Sequence, residues 1–227
     1  MGSRMMTGDT FVSEPVAQVL RLYDGLIDQQ AWERTPYEQI DKLAERLLDG
    51  HRNRSPGASV ELHNWLPQAG ARSAPELFER PLSIDDAREA VARAHGFSGW
   101  HAVQSSPTRP GDPVLERAVE DLLAGDTQSL VAALTGTPDL VVRRSHYGHH
   151  ATLLHYLAAN GVETYRQRVP RNAPQIASLL LERGADPHAT ANAYGRQLTT
   201  RSLLISSGHP YAAGVADNLL AVLDSRA

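Results

Sequence analysis

Cysteine is absent from this sequence of 227 residues. Its absence excludes disulfide bonds, thiolate metal sites and a cysteine nucleophile. No apolar run approaches the ~20 residues that a membrane-spanning helix needs, and the N-terminus has no apolar signal core. We therefore expect a cytoplasmic protein with no membrane partner.

Dense blocks of basic residues are also missing. The formal net charge is −4, with 22 Lys and Arg against 26 Asp and Glu, and Lys42 is the only lysine. Because no cluster of positive charge attracts polyanions over long range, nucleic acid is not expected as a partner. What is present, 41% apolar residues in a chain of this length, suffices for one sizeable core or two small ones.

Apolar residues recur at intervals of three and four along nearly the whole chain, which is typical of amphipathic helices. In the first half, this spacing predicts four helices, over residues 13–30, 35–50, 60–66 and 83–95. Thr35–Glu38 matches a capping box, and Ser83 can cap the last of these helices. Sustained alternation of apolar and polar residues is lacking, so the sequence predicts an all-α fold with little or no paired strand.

Three regions are expected along the chain. Residues 1–12 start with Met1-Gly2-Ser3-Arg4 ahead of a second start-like methionine, which is typical of a cloning remnant, and this region is expected to be disordered. Residues 13–110 form an N-terminal helical region, and residues 105–112, rich in Ser, Pro, Gly and Arg, are the predicted linker to the repeats. Residues 111–227 contain the repeats.

The stretch from Tyr147 to Pro187 resembles an ankyrin repeat, whose pattern is G-x-T-P-L-H-x-A-A-x-x-G, then I-V-x-L-L-L, then G-A-D. The matching residues are Thr152, Leu154, His155, Ala158, Gly161, Leu179, Leu180, Leu181, Gly184, Ala185 and Asp186. Together with Leu82–Trp100 and Asn160–Glu163, the pattern is similar to that of a family of bacterial ankyrin-repeat proteins. The resemblance implies a helical repeat array, an α-solenoid, with an N-terminal helical cap in which Phe97 and Trp100 lie beneath the first repeat.

Three repeats are predicted within this resemblance. A degenerate first repeat covers residues 115–140, the second begins at Tyr147 and the third at Tyr194. Residues 162–174, named the insertion, separate the two helices of the second repeat and depart from the ankyrin pattern. Long interruptions in compact repeats are uncommon and more often functional than idle.

His146, His149 and His150 lie within five residues near the start of the second repeat. Imidazoles so close can hold zinc or supply a general base. However, Gly148 breaks any helix between them and no carboxylate or cysteine stands at ligand spacing, so neither a metal nor another cofactor is expected. The three are expected to be polar residues on the partner-facing side. The resemblance implies that His155 joins neighbouring repeats through backbone hydrogen bonds.

The densest polar group of the chain lies in the insertion and comprises Glu163, Tyr165, Arg166, Gln167 and Arg168. Arg166 can bind a carboxylate or phosphate, Glu163 can act as an acid or base, and Tyr165 can stack or donate a hydrogen bond. Because these residues add nothing to the apolar stripe, changing Tyr165 and Arg166 to alanine is expected to alter stability by no more than about 0.5 kcal/mol. The alternative is that Arg166 closes onto Glu163 or Asp186 and fixes the insertion as structure.

Two functions remain open at this level. One is protein–protein interaction through the surface made by the repeat loops and first helices, with a protein partner, as the resemblance implies. The alternative is a small-molecule-binding protein or an unconventional enzyme of bacterial metabolism, with a pocket beneath the insertion.

The candidate site residues come mainly from two polar groups, the histidines near the start of the second repeat and the polar residues of the insertion. No phosphate-binding glycine loop, nucleophile elbow or zinc-protease motif occurs, so no catalytic class is indicated. The candidate catalytic residues are His149, His150, Glu163, Tyr165 and Arg166. The candidate binding residues are these five together with His146, Tyr147, Gln167, Arg168 and Tyr194.

Overall fold

The computed structural model describes residues 10–70, 72–106 and 109–225. Within these ranges the protein is mostly helical, which confirms the predicted fold class at that level. No helix in them is long and apolar enough to cross a membrane.

The N-terminal helices are α1 (Glu14–Leu22), α2 (Pro36–Arg52), α3 (Pro56–Trp65), α4 (Ala74–Glu79), α5 (Ile84–Ala94) and α6 (Trp100–Gln104). The C-terminal helices are α7 (Pro113–Leu123), α8 (Thr127–Gly136), α9 (Leu153–Tyr156), α10 (Ala173–Glu182), α11 (Thr200–Ile205), α12 (Gly208–Ala212) and α13 (Ala216–Asp224). Short 3₁₀ helices cover Gln29–Glu33, Pro138–Val141 and Thr164–Arg166. The short strands are β1 (Thr10–Phe11), β2 (Val169–Pro170), β3 (Thr190–Ala193) and β4 (Arg196–Thr199).

Helices α2 and α5 start at the capping residues that the sequence predicted. Thr35 Oγ1 accepts from the backbone N–H of Glu38 at 3.2 Å, and Glu38 Oε2 accepts from the N–H of Thr35 at 2.9 Å. Ser83 and Asp86 form the same reciprocal pair at the start of α5. Each capping box satisfies two backbone donors that the helix leaves unpaired.

Helix α1 is shorter than predicted. The periodicity indicated a helix over 13–30, but α1 ends at Leu22 and the 3₁₀ helix Gln29–Glu33 follows after a turn. Gly25 adopts a φ of 75° in that turn, a left-handed conformation that ends an α-helix. The apolar residues beyond Leu22 therefore face the core from outside a helix.

An apolar N-terminal core lies between α1, α2, α3 and α5. Its fully buried members include Val19, Ile40, Leu43, Leu62 and Val91. Phe97 and Trp100, predicted to lie beneath the first repeat, pack against this core instead, and the Trp100 ring lies 5.0 Å from that of Tyr37. The N-terminal helices thus cover these two rings in part.

A second apolar core lies among the C-terminal helices. Helix α7 packs against α8, while α10 and α11 both pack against α13. The short α9 contacts α7, α10 and α11. Buried members of this core from the three predicted repeats are Leu122, Leu130, Leu154, Ile176, Leu203 and Leu219.

Strands β3 and β4 form an antiparallel hairpin that the helical periodicity did not predict. Thr190 pairs with Thr199, and Ala193 pairs with Arg196. Tyr194 and Gly195 make the two-residue turn with φ of 54° and 70°, and a type I′ turn requires positive φ at both positions.

The insertion connects the two cores. β1 pairs with β2 of the insertion, with Phe11 opposite Val169. Phe11 packs against the C-terminal core, whereas Tyr165 of the insertion enters the N-terminal core. Thr10 and Phe11 therefore belong to the fold, although disorder was predicted up to residue 12; residues 1–9 lie outside the described ranges.

The predicted linker also contacts the fold. The backbone N–H of Gly111 donates to the carbonyl of Arg34 at 3.1 Å. Arg143 Nη1 donates to Asp112 Oδ2 at 2.9 Å. Arg34, earlier in the chain, and Arg143, later in the chain, therefore both hold the segment that precedes α7. Residues 107 and 108 of the predicted linker lie outside the described ranges.

Candidate functional site

Arg166 is the centre of a buried group of charges, with a side chain only 3% exposed. It donates to Glu116 Oε2 at 2.5 Å, to Glu163 Oε1 at 3.1 Å and to Glu120 Oε1 at 3.2 Å. Arg168 Nη2 donates to Glu120 Oε2 at 2.5 Å. We name these five residues, Glu116, Glu120, Glu163, Arg166 and Arg168, the charged cluster.

Helix α7 and the insertion supply opposite charges to the charged cluster. Glu116 and Glu120 are one turn apart and lie on the same face of α7. The 3₁₀ helix Thr164–Arg166 turns the guanidinium of Arg166 back toward Glu163, three residues earlier. Because Glu116 and Glu163 are withdrawn from water, their ionised forms need the guanidinium groups as partners.

Burial and ion pairing oppose each other at the three carboxylates. Burial by itself raises the pKa of Glu163, but Arg166 and His149 hold that pKa well below its ordinary value. At Glu120, whose side chain is 29% exposed, Arg168 and Arg166 outweigh burial and lower the pKa. At Glu116, burial prevails over Arg166 and raises the pKa. Glu116 is therefore the carboxylate of the cluster that takes up a proton most readily.

His149 is fully buried beside Glu163. Its Nδ1 accepts a hydrogen bond from the backbone N–H of Ala151 at 3.0 Å, so the ring proton lies on Nε2. Nε2 is 3.5 Å from Glu163 Oε2. The imidazole thus presents its proton to the charged cluster.

His95 and Tyr165 form a second buried pair. His95 Nδ1 donates to the carbonyl of Val91 at 2.8 Å, which leaves Nε2 to accept from the hydroxyl of Tyr165 at 3.3 Å. Burial lowers the pKa of His95 to about 4. The imidazole is therefore neutral at pH 7 and holds the tyrosine of the insertion in the N-terminal half.

The three histidines predicted near the second repeat face different surroundings. His146 Nδ1 lies 3.6 Å from Glu116 Oε1, and burial lowers the pKa of His146 to about 4. His149 faces Glu163, while His150 is exposed and its Nδ1 lies 3.2 Å from the carbonyl of Ser145. Within residues 10–70, 72–106 and 109–225, no three His, Asp or Glu side chains come together in an arrangement that could hold a metal ion.

The expectation that Tyr165 and Arg166 behave as surface residues is wrong, because both are buried. Glu163, Tyr165 and Arg166 are 0%, 5% and 3% exposed, and Gln167 is partly buried with its Nε2 on the carbonyl of Val162. The alternative weighed from the sequence, Arg166 closing onto Glu163, is observed. The available signal was the Glu116–Glu120 spacing of four on the apolar face of α7.

A partly open groove of about 900 Å³ lies between the N-terminal helices and loops of the C-terminal half. Its walls are the end of α3 with the loop that follows, the turn after α5, and the hairpin turn between β3 and β4. Its lining includes Trp65, Arg93, Phe97, His150, Tyr194 and Arg196. We name this feature the groove.

Trp65 and Tyr194 form an aromatic pair at the groove. Their rings are nearly parallel, 8° apart, with centroids 6.1 Å from each other. Trp65 Nε1 donates to Thr164 Oγ1 at 3.0 Å, and the Tyr194 hydroxyl donates to Asn160 Oδ1 at 2.6 Å. Both rings are thus anchored at their polar atoms.

Tyr194 also stands in an unusual backbone conformation. Its φ of 54° is left-handed, which costs a residue with a bulky side chain roughly 1–2 kcal/mol, yet its side chain remains exposed. Strained positions of this kind are concentrated at binding sites. Tyr194 is therefore the strongest single candidate for a ligand contact.

Gly96 and Gly148 line the groove beside two buried histidines. The adjacent His95 and His149 are buried, and His149 contacts Glu163 of the charged cluster. A Cβ at Gly148 would lie 2.6 Å from the backbone nitrogen of Phe97, so the two segments cross in direct contact. The backbone N–H of His149 donates to the carbonyl of His95 at this crossing.

Half of the ten predicted binding residues lie in these two regions. His150 and Tyr194 line the groove, and Glu163, Arg166 and Arg168 belong to the charged cluster. The other five belong to neither region: His146, Tyr147, His149, Tyr165 and Gln167. No residue of the insertion lines the groove. The aromatic residues Trp65 and Phe97 of the groove were not predicted as site residues. In the sequence, each is an aromatic residue close to the end of a predicted helix, and such residues were interpreted as core packing.

Comparison of the chain with family models, with curated proteins and with solved structures gave no match. The resemblance to ankyrin-repeat proteins therefore stays a prediction from the sequence. Function has to be inferred from the geometry of the groove and the charged cluster.

Proposed function

We propose that the protein is an ankyrin-type interaction module whose groove holds an extended segment of a protein partner. The observation that carries this proposal is the groove itself, which is large, partly open and walled by aromatic side chains from both halves of the molecule. Aromatic and arginine side chains dominate the binding energy of protein interfaces, and Trp65, Tyr194 and Arg196 are of these types.

Three features support ankyrin-type repeats in residues 113–225. Helices from the three predicted repeats surround one core, a hairpin precedes the third pair, and the motif histidine His155 links separate segments. His155 Nδ1 accepts from the N–H of Thr152 at 3.2 Å, and Nε2 donates to the carbonyl of Ala189 at 3.1 Å. This is the structural role that the sequence resemblance implies for His155.

The candidate catalytic residues favour binding over catalysis. His149, Glu163, Tyr165 and Arg166 are at most 5% exposed, and each contacts other protein groups. Of the five candidates, only His150 lines the groove. Because a catalytic group has to reach its substrate, we propose no reaction.

A small molecule in the same groove is the second candidate. The volume of about 900 Å³ lies within the range of roughly 300–1,000 Å³ typical of small-molecule sites. This candidate differs from the pocket expected beneath the insertion, because no residue of the insertion lines the groove.

The test uses an unbiased library of phage-displayed peptides selected against the full chain. The affinity of each selected peptide is then measured by fluorescence anisotropy with wild type and with Tyr194→Ala. We expect at least one selected peptide to bind the variant more than about tenfold more weakly, as the loss of a central aromatic contact does.

Tyr211→Ala is the matched control, because Tyr211 is 48% exposed on α12 and does not line the groove. Its affinity for the peptides is expected to equal that of wild type. Peptides that bind all three proteins equally, or no binding peptide at all, would contradict the proposal. Fragments that bind in a Tyr194-dependent way by NMR, without any such peptide, would establish the small-molecule candidate instead.

A further inference from the structure

The groove is lined by cationic side chains and by no carboxylate among its described residues. Arg93 and Arg196 carry positive charge there, and His63 and His150 are two further basic groups. The whole chain has the opposite balance, with 26 Asp and Glu against 22 Lys and Arg. A cleft lined by one sign of charge attracts a ligand of the other sign.

Arg196 is the cation that is available to a ligand. It follows the hairpin turn, is exposed, and forms no ion pair with a carboxylate of the described residues. Arg93, by contrast, is paired with Glu89 at 2.7 Å, and the other oxygen of Glu89 accepts from the N–H of Trp100 at 2.8 Å. The uncompensated positive charge of the groove therefore comes from Arg196, whose guanidinium group suits bidentate binding of a carboxylate.

A flat apolar surface stands beside this cation. Tyr194 precedes Arg196 by two residues in the same turn, and the Tyr194 ring lies nearly parallel to that of Trp65. Phe97 adds a third aromatic ring to the lining. Aromatic rings pair with other rings in stacked or edge-to-face geometry, so an aromatic side chain complements this surface.

We propose that the segment bound in the groove is acidic, with an aromatic side chain against Trp65 and Tyr194 and a neighbouring carboxylate on Arg196. This inference rests on the proposed function and specifies the chemistry of the partner. Charge complementarity selects the partner, and the aromatic contact anchors it.

The test examines the sequences and affinities of the peptides selected from the unbiased library. Peptides whose binding depends on Tyr194 are expected to carry an aromatic residue close to Asp or Glu more often than the starting library. Arg196→Gln is expected to weaken the best of these peptides about tenfold. Raising the ionic strength from about 0.05 to about 0.5 M should weaken binding by wild type more than by this variant.

A double-mutant cycle assigns the contact. Replacing the acidic residue of the peptide by its amide should cost wild type the same factor, and should add no further loss to Arg196→Gln. Arg183→Gln is the control, since Arg183 is exposed, lies outside the groove and is expected to leave affinity unchanged.

Two failures are distinguishable. Tyr194-dependent peptides that lack acidic residues, or that bind Arg196→Gln as tightly as wild type, would overturn this inference and leave the proposed function in place. The absence of any Tyr194-dependent peptide would overturn the proposed function and this inference together.

Discussion

The charged cluster and the groove approach each other at one backbone crossing, where Gly148 lines the groove and His149 contacts Glu163, but they have opposite properties. In the charged cluster, each guanidinium group has a carboxylate partner and little surface is exposed. In the groove, Arg196 has no carboxylate partner among the described residues and Tyr194 is 59% exposed. A dense group of polar residues therefore does not by itself mark a binding site. Charges that satisfy one another stabilise the fold, whereas unsatisfied groups at a surface are available to a ligand.

The two regions are connected through Thr164. Its hydroxyl accepts from Trp65 of the groove and hydrogen-bonds Glu61, a buried carboxyl that is 1% exposed. Thr164 belongs to the same 3₁₀ helix as Arg166 of the charged cluster. The insertion therefore holds the Trp65 side chain of the groove through Thr164 but does not line the groove itself.

The largest expected effect is that of Arg166→Met in the charged cluster. The change keeps the apolar stem but leaves Glu116 and Glu163 buried without their main partner. We expect the free energy of unfolding to fall by about 3–5 kcal/mol in denaturant titrations, as when one member of a buried pair is removed. This value replaces the expectation of about 0.5 kcal/mol that followed from treating Arg166 as a surface residue.

Arg201→Met is the control for that measurement. Arg201 pairs with Asp224 at 2.6 Å, but both side chains are about half exposed, so water screens the pair. Its loss is expected to leave stability unchanged within error. If Arg201→Met lowers the free energy of unfolding as much as Arg166→Met does, the buried charged cluster does not differ from an exposed ion pair in its contribution to stability.

An intermediate effect is expected at Glu61, which lies between the two regions. Burial raises the pKa of Glu61 from 4.5 to about 7, and a hydrogen bond from Thr164 opposes the shift only in part. Between these two pH values the folded state keeps a proton that the unfolded state has released. The contribution of Glu61 to stability is therefore full below about pH 4.5, falls as the pH rises, and is lost above about pH 7.

Glu61→Gln removes this titration while keeping the shape of the side chain. We expect the variant to exceed wild type in the free energy of unfolding by about 1–3 kcal/mol at pH 8, with the difference shrinking toward zero as the pH approaches 4.5. The exposed Glu182→Gln serves as a control that should show no such trend. A difference that stays constant with pH would show that Glu61 is not held protonated by burial.

The smallest expected effect is on the stability of Tyr194→Asn in the groove. Asn-Gly is the preferred pair for a type I′ turn, since asparagine accepts a left-handed conformation more readily than tyrosine. We expect the free energy of unfolding to rise by up to about 1 kcal/mol while affinity for groove-dependent peptides falls. A loss of stability would mean that the ring serves the fold, and the assignment of the groove as the binding region would weaken.

Local signals in the sequence predicted much of the fold. Thr35 and Ser83 begin α2 and α5 because a capping box depends only on residues within one helical turn. The hairpin was missed because its strands are four residues long and its turn is Tyr-Gly, where Asn-Gly is the usual signal. The apolar spacing typical of helices extends over more residues than the hairpin pattern, so the prediction followed the helical spacing.

The site was predictable only in part. The sequence identified the polar group of the insertion, but Arg166 finds Glu116 at a separation of 50 residues, and no local pattern reports such a pair. Likewise, the groove brings Trp65 and Phe97 of the N-terminal helices to the Tyr194 turn. These residues line one groove only because the N-terminal helices pack against the C-terminal half of the chain.

Residues close together in the chain specify the helical class, the starts of α2 and α5 and the group of charges in the insertion. Packing of the whole chain turns this group inward onto α7 and leaves the strained Tyr194 exposed beside Arg196. A charge is buried only where a distant segment supplies its counter-charge, so its burial depends on which segments meet in the folded protein.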